Sequence, residues 1–102
     1  MEIAAIHRKI ERLAGDGMPR VLDLFSGCGG LSLGFAAAGF VIRGAVENDD
    51  SAAASHGRNF HAGNPMHSLP RDITRTTPKD LVRELDLGRT AEAFDVVIGG
   101  PR

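Results

Sequence analysis

A single cysteine, Cys28, leaves the chain without any intramolecular disulfide, which excludes a disulfide-framed secreted fold and points to a reducing, cytoplasmic setting. The sequence also lacks a surplus of either charge: twelve Lys and Arg face thirteen Asp and Glu, a net of −1. That balance gives no electrostatic footprint for gripping a phosphate backbone, so contact with nucleic acid has to come from elsewhere. Long apolar runs are missing too. The first turns carry Glu2, His7, Arg8, Lys9, Glu11 and Arg12, so neither a signal peptide nor a membrane span is expected there. There is no repeat and no low-complexity tract. What remains is the composition of an ordinary globule, 42% hydrophobic and 25% charged. At 102 residues it has room for one small domain or part of a larger one.

Ile3, Ile6, Ile10 and Leu13 recur at spacings of three and four with charge between them, predicting an amphipathic helix that ends at Gly15-Asp16-Gly17. Two heptads are too short to favour a dimerising helix, so its expected role is to cover a sheet face. With Pro19 as separator, residues 1–19 read as an N-terminal helix and linker, and 20–102 as the domain proper. Residues 20–25 are an apolar strand that runs into a glycine loop and then a helix over 31–38, capped by Gly39. A second strand over 41–46 ends at Glu47-Asn48-Asp49-Asp50, and a helix follows over 51–60 with Asp50 or Ser51 as N-cap. Residues 61–71 are a loop, and a short third strand is expected at about 71–73. Thr77 caps a helix over 79–87 with Pro78 in its first turn, and a fourth strand over 94–98 precedes Gly99-Gly100-Pro101-Arg102. Strands alternating with helices predict an α/β, Rossmann-like architecture: a partial parallel sheet with flanking helices, its ligand beyond the carboxyl ends of the strands.

The chemistry-bearing residues cluster at those ends. Gly27, Gly29 and Gly30 let the backbone turn sharply and approach a ligand, although glycines alone suit a structural turn equally well. Glu47, twenty residues after Gly27, stands where a carboxylate accepts from both ribose hydroxyls of a nucleoside, at about 1.5–3 kcal/mol for each bond. Ser32 replaces the third glycine of the dinucleotide fingerprint, which argues against NAD. Read alone, Phe25 is a core aromatic at a strand end and Asp72 a turn or cap residue. His56, His61 and His67 lack the spacing and partners of zinc ligands and are expected to be solvated loop residues; no metal site is expected. Arg71, Arg75, Lys79, Arg83 and Arg89 alternate with Asp72, Asp80, Glu84 and Asp86, the pattern of a solvated face.

Taken in order, these segments resemble one family. Asp23-Leu24-Phe25-Ser26-Gly27-Cys28-Gly29-Gly30-Leu31-Ser32-Leu33-Gly34-Phe35, with Ala38-Gly39-Phe40, is similar to the first motif of the DNA (cytosine-5) methyltransferases. Val46-Glu47-Asn48-Asp49 is similar to the second, Asp72-Ile73-Thr74 to the third, and 95–101 to the beginning of the fourth. The resemblance covers residues 20–102 and implies the S-adenosylmethionine-dependent methyltransferase fold. It implies that Phe25 lies against the adenine of S-adenosylmethionine, with Gly27, Cys28, Gly29, Gly30 and Leu31 around the methionine part and Ser26 also in the cofactor-binding set. Glu47 would take the ribose hydroxyls, Asn48 the other face of the adenine, Asp72 its amino group, and Ile73 a ring nitrogen through its backbone amide. Gly100 joins this cofactor-binding set.

No residue of the chain is expected to be catalytic. Cys28 sits in the cofactor loop, whereas the family nucleophile belongs to a Pro-Cys pair, and here Arg102 follows Gly99-Gly100-Pro101. The expectation is therefore the cofactor-binding N-terminal part of a DNA (cytosine-5) methyltransferase, without turnover by itself. DNA would be reached only through a missing C-terminal part or a complementing methyltransferase chain, and the last strand would present an unpaired edge. The alternatives are a non-catalytic subunit or sensor for S-adenosylmethionine or S-adenosylhomocysteine, an RNA cytosine methyltransferase fragment, and a nicotinamide- or flavin-dependent oxidoreductase fragment. The stretch 26–34 looks more like the bacterial DNA enzymes than the RNA ones.

Overall fold

The computed structural model describes residues 3–25, 27 and 29–99. Helix α1 (Ile3–Ala14) leads to strand β1 (Arg20–Leu24), helix α2 (Gly30–Ala37), strand β2 (Val41–Val46) and helix α3 (Asp50–Phe60). A short 3₁₀ turn (Pro65–Ser68), helices α4 (Pro78–Glu84) and α5 (Thr90–Ala93), and strand β3 (Val96–Gly99) follow. The strands form one parallel sheet in the order β2-β1-β3, with Leu22 opposite Gly44 on one side and Val97 on the other. This is the partial parallel sheet with flanking helices that the alternating pattern predicts. β1 is central, so Val21, Leu22 and Asp23 are all buried, whereas β3 is an edge whose Val97 stays 60% exposed.

The two faces of β1 differ in chemistry. Leu22 packs with Val46, Leu81 and Leu85 into an apolar cluster, to which Leu24, Ile73, Leu87 and Phe94 add partly buried area. Asp23, on the opposite face because side chains alternate along a strand, meets α2 and α3 through hydrogen bonds. Helix α2 ends as expected at Gly39, whose φ of 95° only glycine takes without strain. The Gly39 and Phe40 amides donate to the Ala36 and Phe35 carbonyls, and the two phenylalanine rings meet edge to face at 5.2 Å. Thr77 and Asp80 form the capping box of α4, with Pro78 at its first turn.

Local hydrogen bonding corrects several expected boundaries. The third strand at 71–73 is a turn: Asp72 Oδ1 accepts from the Thr74 amide at 2.9 Å and hydroxyl at 2.7 Å, and the Asp72 carbonyl accepts from Arg75 and Thr76. Those bonds outcompete a ladder. Arg71 nevertheless donates its amide to the Glu47 carbonyl at 2.7 Å, so this turn is brought to the end of β2. Phe25 leaves β1 with φ 55°, and β3 starts two residues late because α5 runs to Ala93 and Phe94 is its C-cap. Asp49, not Asp50 or Ser51, caps α3 by accepting from Ala52 at 2.9 Å. Helix α4 stops at Glu84, since Asp86 and Gly88 turn left-handed, and the unexpected α5 follows. Helix α1 takes α5 as its principal neighbour instead of a sheet face, held by Arg8 to Glu92 and Arg12 to Asp95, both at 2.5 Å. Ile3 and Ile10 of its apolar stripe therefore remain exposed.

Candidate functional site

The carboxyl ends of β1 and β2 gather most of the residues singled out in the sequence. Phe25 and Gly27 are both left-handed, with φ 55°, and the Phe25 amide still donates to the Val46 carbonyl at 2.8 Å. The chain thus folds back over the strand end instead of continuing the ladder. Gly29 is the N-cap of α2 with φ 106°, and Gly30 and Leu31 are its first residues, half open to solvent. Space where a Cβ would stand is empty at Gly27 and at Gly30. A cradle with an open side results, and a depression of 470 Å³ beside it is lined by Gly29, Gly30, Leu33, Asn59 and Phe60. Ser26, Cys28 and Gly100 lie outside the described residues.

Glu47 joins the two strand ends. Its Oε1 accepts from the Gly27 amide at 2.9 Å and its Oε2 from the Asp49 amide at 3.0 Å. Asn48 is exposed next to it, and the Arg71 bond places the exposed Asp72 at the same end of the sheet. Ile73 tucks its side chain against the apolar cluster, which leaves its backbone as the part that a ligand could meet.

Beneath the cradle is a polar cluster that sequence reasoning missed. The Ser32 hydroxyl donates to Asp23 Oδ2 and lies 2.9 Å from His56 Nε2. All three side chains are at most 1% exposed. Burial pushes the Asp23 carboxyl up, against the pull of the Ser32 hydrogen bond, and the Glu47 charge adds to the rise. Burial, with His61 nearby, holds the His56 imidazole down to about 4. The histidines are thus not the solvated loop residues expected: His56 is inside α3, and His61 and His67 stack with ring centroids 3.6 Å apart. Among the described residues no group of His, Cys, Asp and Glu is arranged to hold a metal ion. The expected solvated face over 71–89 is modified at Arg71, which is buried and paired with Glu84 at 3.4 Å.

A family model described as C-5 cytosine-specific DNA methylase matches residues 19–101. The chain is 42% identical over 86 residues to the putative type II methyltransferase M.OihORF3336P of Oceanobacillus iheyensis, covering 82% of the chain and 18% of that protein. It is 48% identical over 82 residues to the type II methyltransferase M.HgiDI of Herpetosiphon aurantiacus, covering 80% and 23%. Against M.HgiGI of the same organism it is 37% identical over 90 residues, covering 80% and 57%. The chain therefore spans between about a fifth and just over half of these relatives. No solved structure matches it.

Proposed function

Because the chain belongs to the C-5 cytosine-specific DNA methylase family, we propose that these residues form the S-adenosylmethionine-binding part of a DNA (cytosine-5) methyltransferase of the type II restriction-modification kind. The observation that most supports this is the half-buried Glu47 carboxylate, which ties the glycine loop after β1 to the end of β2 at the sheet position where nucleosides bind. On this reading Phe25 and Asn48 sandwich the adenine, Asp72 and the Ile73 amide read its edge, and Ser26, Gly27, Cys28, Gly29, Gly30, Leu31 and Gly100 enclose the rest. When bound, S-adenosylmethionine supplies a sulfonium-activated methyl group. The chain's own residues hold and orient that donor.

The 102 residues contain no Pro-Cys pair, and Cys28, in the donor loop, is their only thiol. They accordingly bind the donor without turnover, and DNA is engaged by other residues of the enzyme or by a complementing chain. Among the described residues no helix is long and apolar enough to cross a membrane. A cytoplasmic setting is part of the same proposal.

The test is titration calorimetry of the chain with S-adenosylhomocysteine and, separately, with NAD. Binding of the first and not the second is expected, with Glu47→Ala weakening it by about tenfold or more, since at least one charged hydrogen bond of about 1.5–3 kcal/mol is lost. Equal affinity of Glu47→Ala and wild type, or preference for NAD, would refute the reading. Tritiated methyl transfer to DNA by the chain alone would refute its lack of turnover.

A further inference from the structure

We propose that Ser32, clamped between Asp23 and His56, is a positioning residue that sets the shape of the glycine loop from beneath and with it the affinity for the methyl donor. The second half of this statement rests on the donor reading given above.

Three elements meet at one hydroxyl. Asp23 comes from β1, Ser32 from the first turn of α2, and His56 from the middle of α3. A serine hydroxyl has one proton, and it goes to Asp23 Oδ2. His56 Nε2, 2.9 Å from the same oxygen, is therefore the donor, which fixes the Nε2–H tautomer of a neutral ring. Both directions of the relay are thereby determined: the Ser32 to Asp23 bond sets the distance from the end of β1 to the start of α2, and the His56 to Ser32 bond holds that start against α3. The loop containing Gly27 and Gly29 has to span that distance.

The floor of the loop is made by the same histidine. His56 and Phe60 pack ring to ring at 4.6 Å, and a Cβ on Gly29 would stand 3.2 Å from His56 Cδ2 and 2.6 Å from Phe60 Cε2. Gly29 thus presses its backbone directly onto the two rings. Above, the Gly27 amide is held by Glu47. The loop is pinned on opposite sides, and its buried pin lies away from the open side where a ligand enters. This also accounts for the departure from the dinucleotide fingerprint. Where that pattern uses a third glycine for close helix-to-strand packing, Ser32 achieves the close approach with hydrogen bonds to the strand and to the neighbouring helix. The charged and titratable groups acting on the cluster are Glu47, facing Asp23, and His61, facing His56.

The experiment compares the wild-type chain with Ser32→Ala, His56→Leu and His56→Gln at a temperature where circular dichroism shows each one folded. S-adenosylhomocysteine affinity and hydrogen exchange of the Gly27 amide are measured together. Ser32→Ala and His56→Leu are expected to weaken binding by about tenfold and to speed Gly27 exchange by about tenfold relative to β1 amides such as Leu22. His56→Gln retains an N–H donor and is expected within about threefold of wild type. A merely structural serine would lower stability while leaving the affinity of folded protein and the Gly27 exchange ratio unchanged, and that result overturns the proposal. If wild type fails to bind S-adenosylhomocysteine, the donor reading falls, and the exchange ratio still decides whether Ser32 positions the loop. If Ser32→Ala fails to fold, the His56→Leu and His56→Gln pair decides, because both leave the Ser32 to Asp23 bond in place.

Discussion

Acidification should destabilise this fold well before its carboxylates titrate. His56 and His67 are both held down to about 4 from an ordinary 6.5. Burial is the leading cause for each, with repulsion from His61 next and, for His67, from Arg71, His56 and Arg43 after it. Below an ordinary histidine value the unfolded chain takes up protons that the folded chain refuses, so stability rises with pH across this window and is lost as pH falls. At about pH 5 the fully buried His56 contributes a loss of about 2 kcal/mol, a sizeable part of the 5–15 kcal/mol typical of a small domain, and the less buried His67 adds a smaller loss of the same sign. His61, also lowered by burial, adds in the same direction. Asp23, whose carboxyl is raised, works the other way, because the folded state then holds its proton more tightly than the unfolded one and gains on acidification. Asp95 is lowered by its bonds to Arg12 and Arg20 against the effect of burial, so its contribution disappears only at more acidic pH. Urea denaturation midpoints measured between about pH 7.5 and about pH 5 are expected to fall steadily, and His56→Gln should make that slope shallower while His61 and His67 maintain the remainder. A flat profile down to about pH 5, followed by loss only in the carboxylate range, would refute the neutral, buried histidines.

Three further outcomes are expected. Gly57→Ala would place a methyl 2.2 Å from Ser68 Oγ and 2.8 Å from the His67 carbonyl, where α3 meets the 3₁₀ turn, so thermal unfolding should show a loss of about 1–3 kcal/mol. Arg12→Ala removes both guanidinium bonds to Asp95, at 2.5 and 2.6 Å, and leaves a nearly buried carboxylate with the Arg20 amide. Urea unfolding should register about 1–3 kcal/mol, partly restored by adding Asp95→Asn. Asp72→Asn keeps Oδ1 for the Thr74 bonds while exchanging the other acceptor for a donor, so it should weaken S-adenosylhomocysteine binding by about tenfold with a smaller drop in unfolding midpoint than Asp72→Ala. Asp72→Ala should lower both.

Why the strand-end residues were legible and the cluster beneath them was not follows from what each depends on. Gly27, Gly29 and Glu47 answer to local rules: a left-handed turn needs glycine, and a carboxylate at a strand end needs only its place in the alternation of strands and helices. Asp72 was harder. Its position opposite Glu47 depends on one long-range bond from Arg71, while its own geometry is decided by Thr74 two residues away, which turned an expected strand into an Asx turn. The apolar period of α1 was read correctly as a helix, yet the pairing of Arg8 and Arg12 with Glu92 and Asp95 directs it to α5, and no pattern within residues 3–14 encodes that partner.

His56 did leave a signal in the chain. Ala53, His56, Gly57 and Phe60 fall at helical spacing, and Ala53, His56 and Gly57 are the buried residues of α3, so the imidazole occupies the inner stripe of the helix. A polar ring on an inner stripe requires a partner, because an unpaired buried donor costs about 1–3 kcal/mol. The partner has to come from the strand or helix packed on that stripe, and the first motif offers Asp23 pointing off the central strand and Ser32 one helical turn past the loop. A carboxylate accepts only, a neutral imidazole donates from one nitrogen, and a hydroxyl does both, so the serine has to stand between them. The same three residues that bond to one another in the interior thereby fix where the loop above them begins and ends, and the buried chemistry of the fold becomes the geometry of its open site.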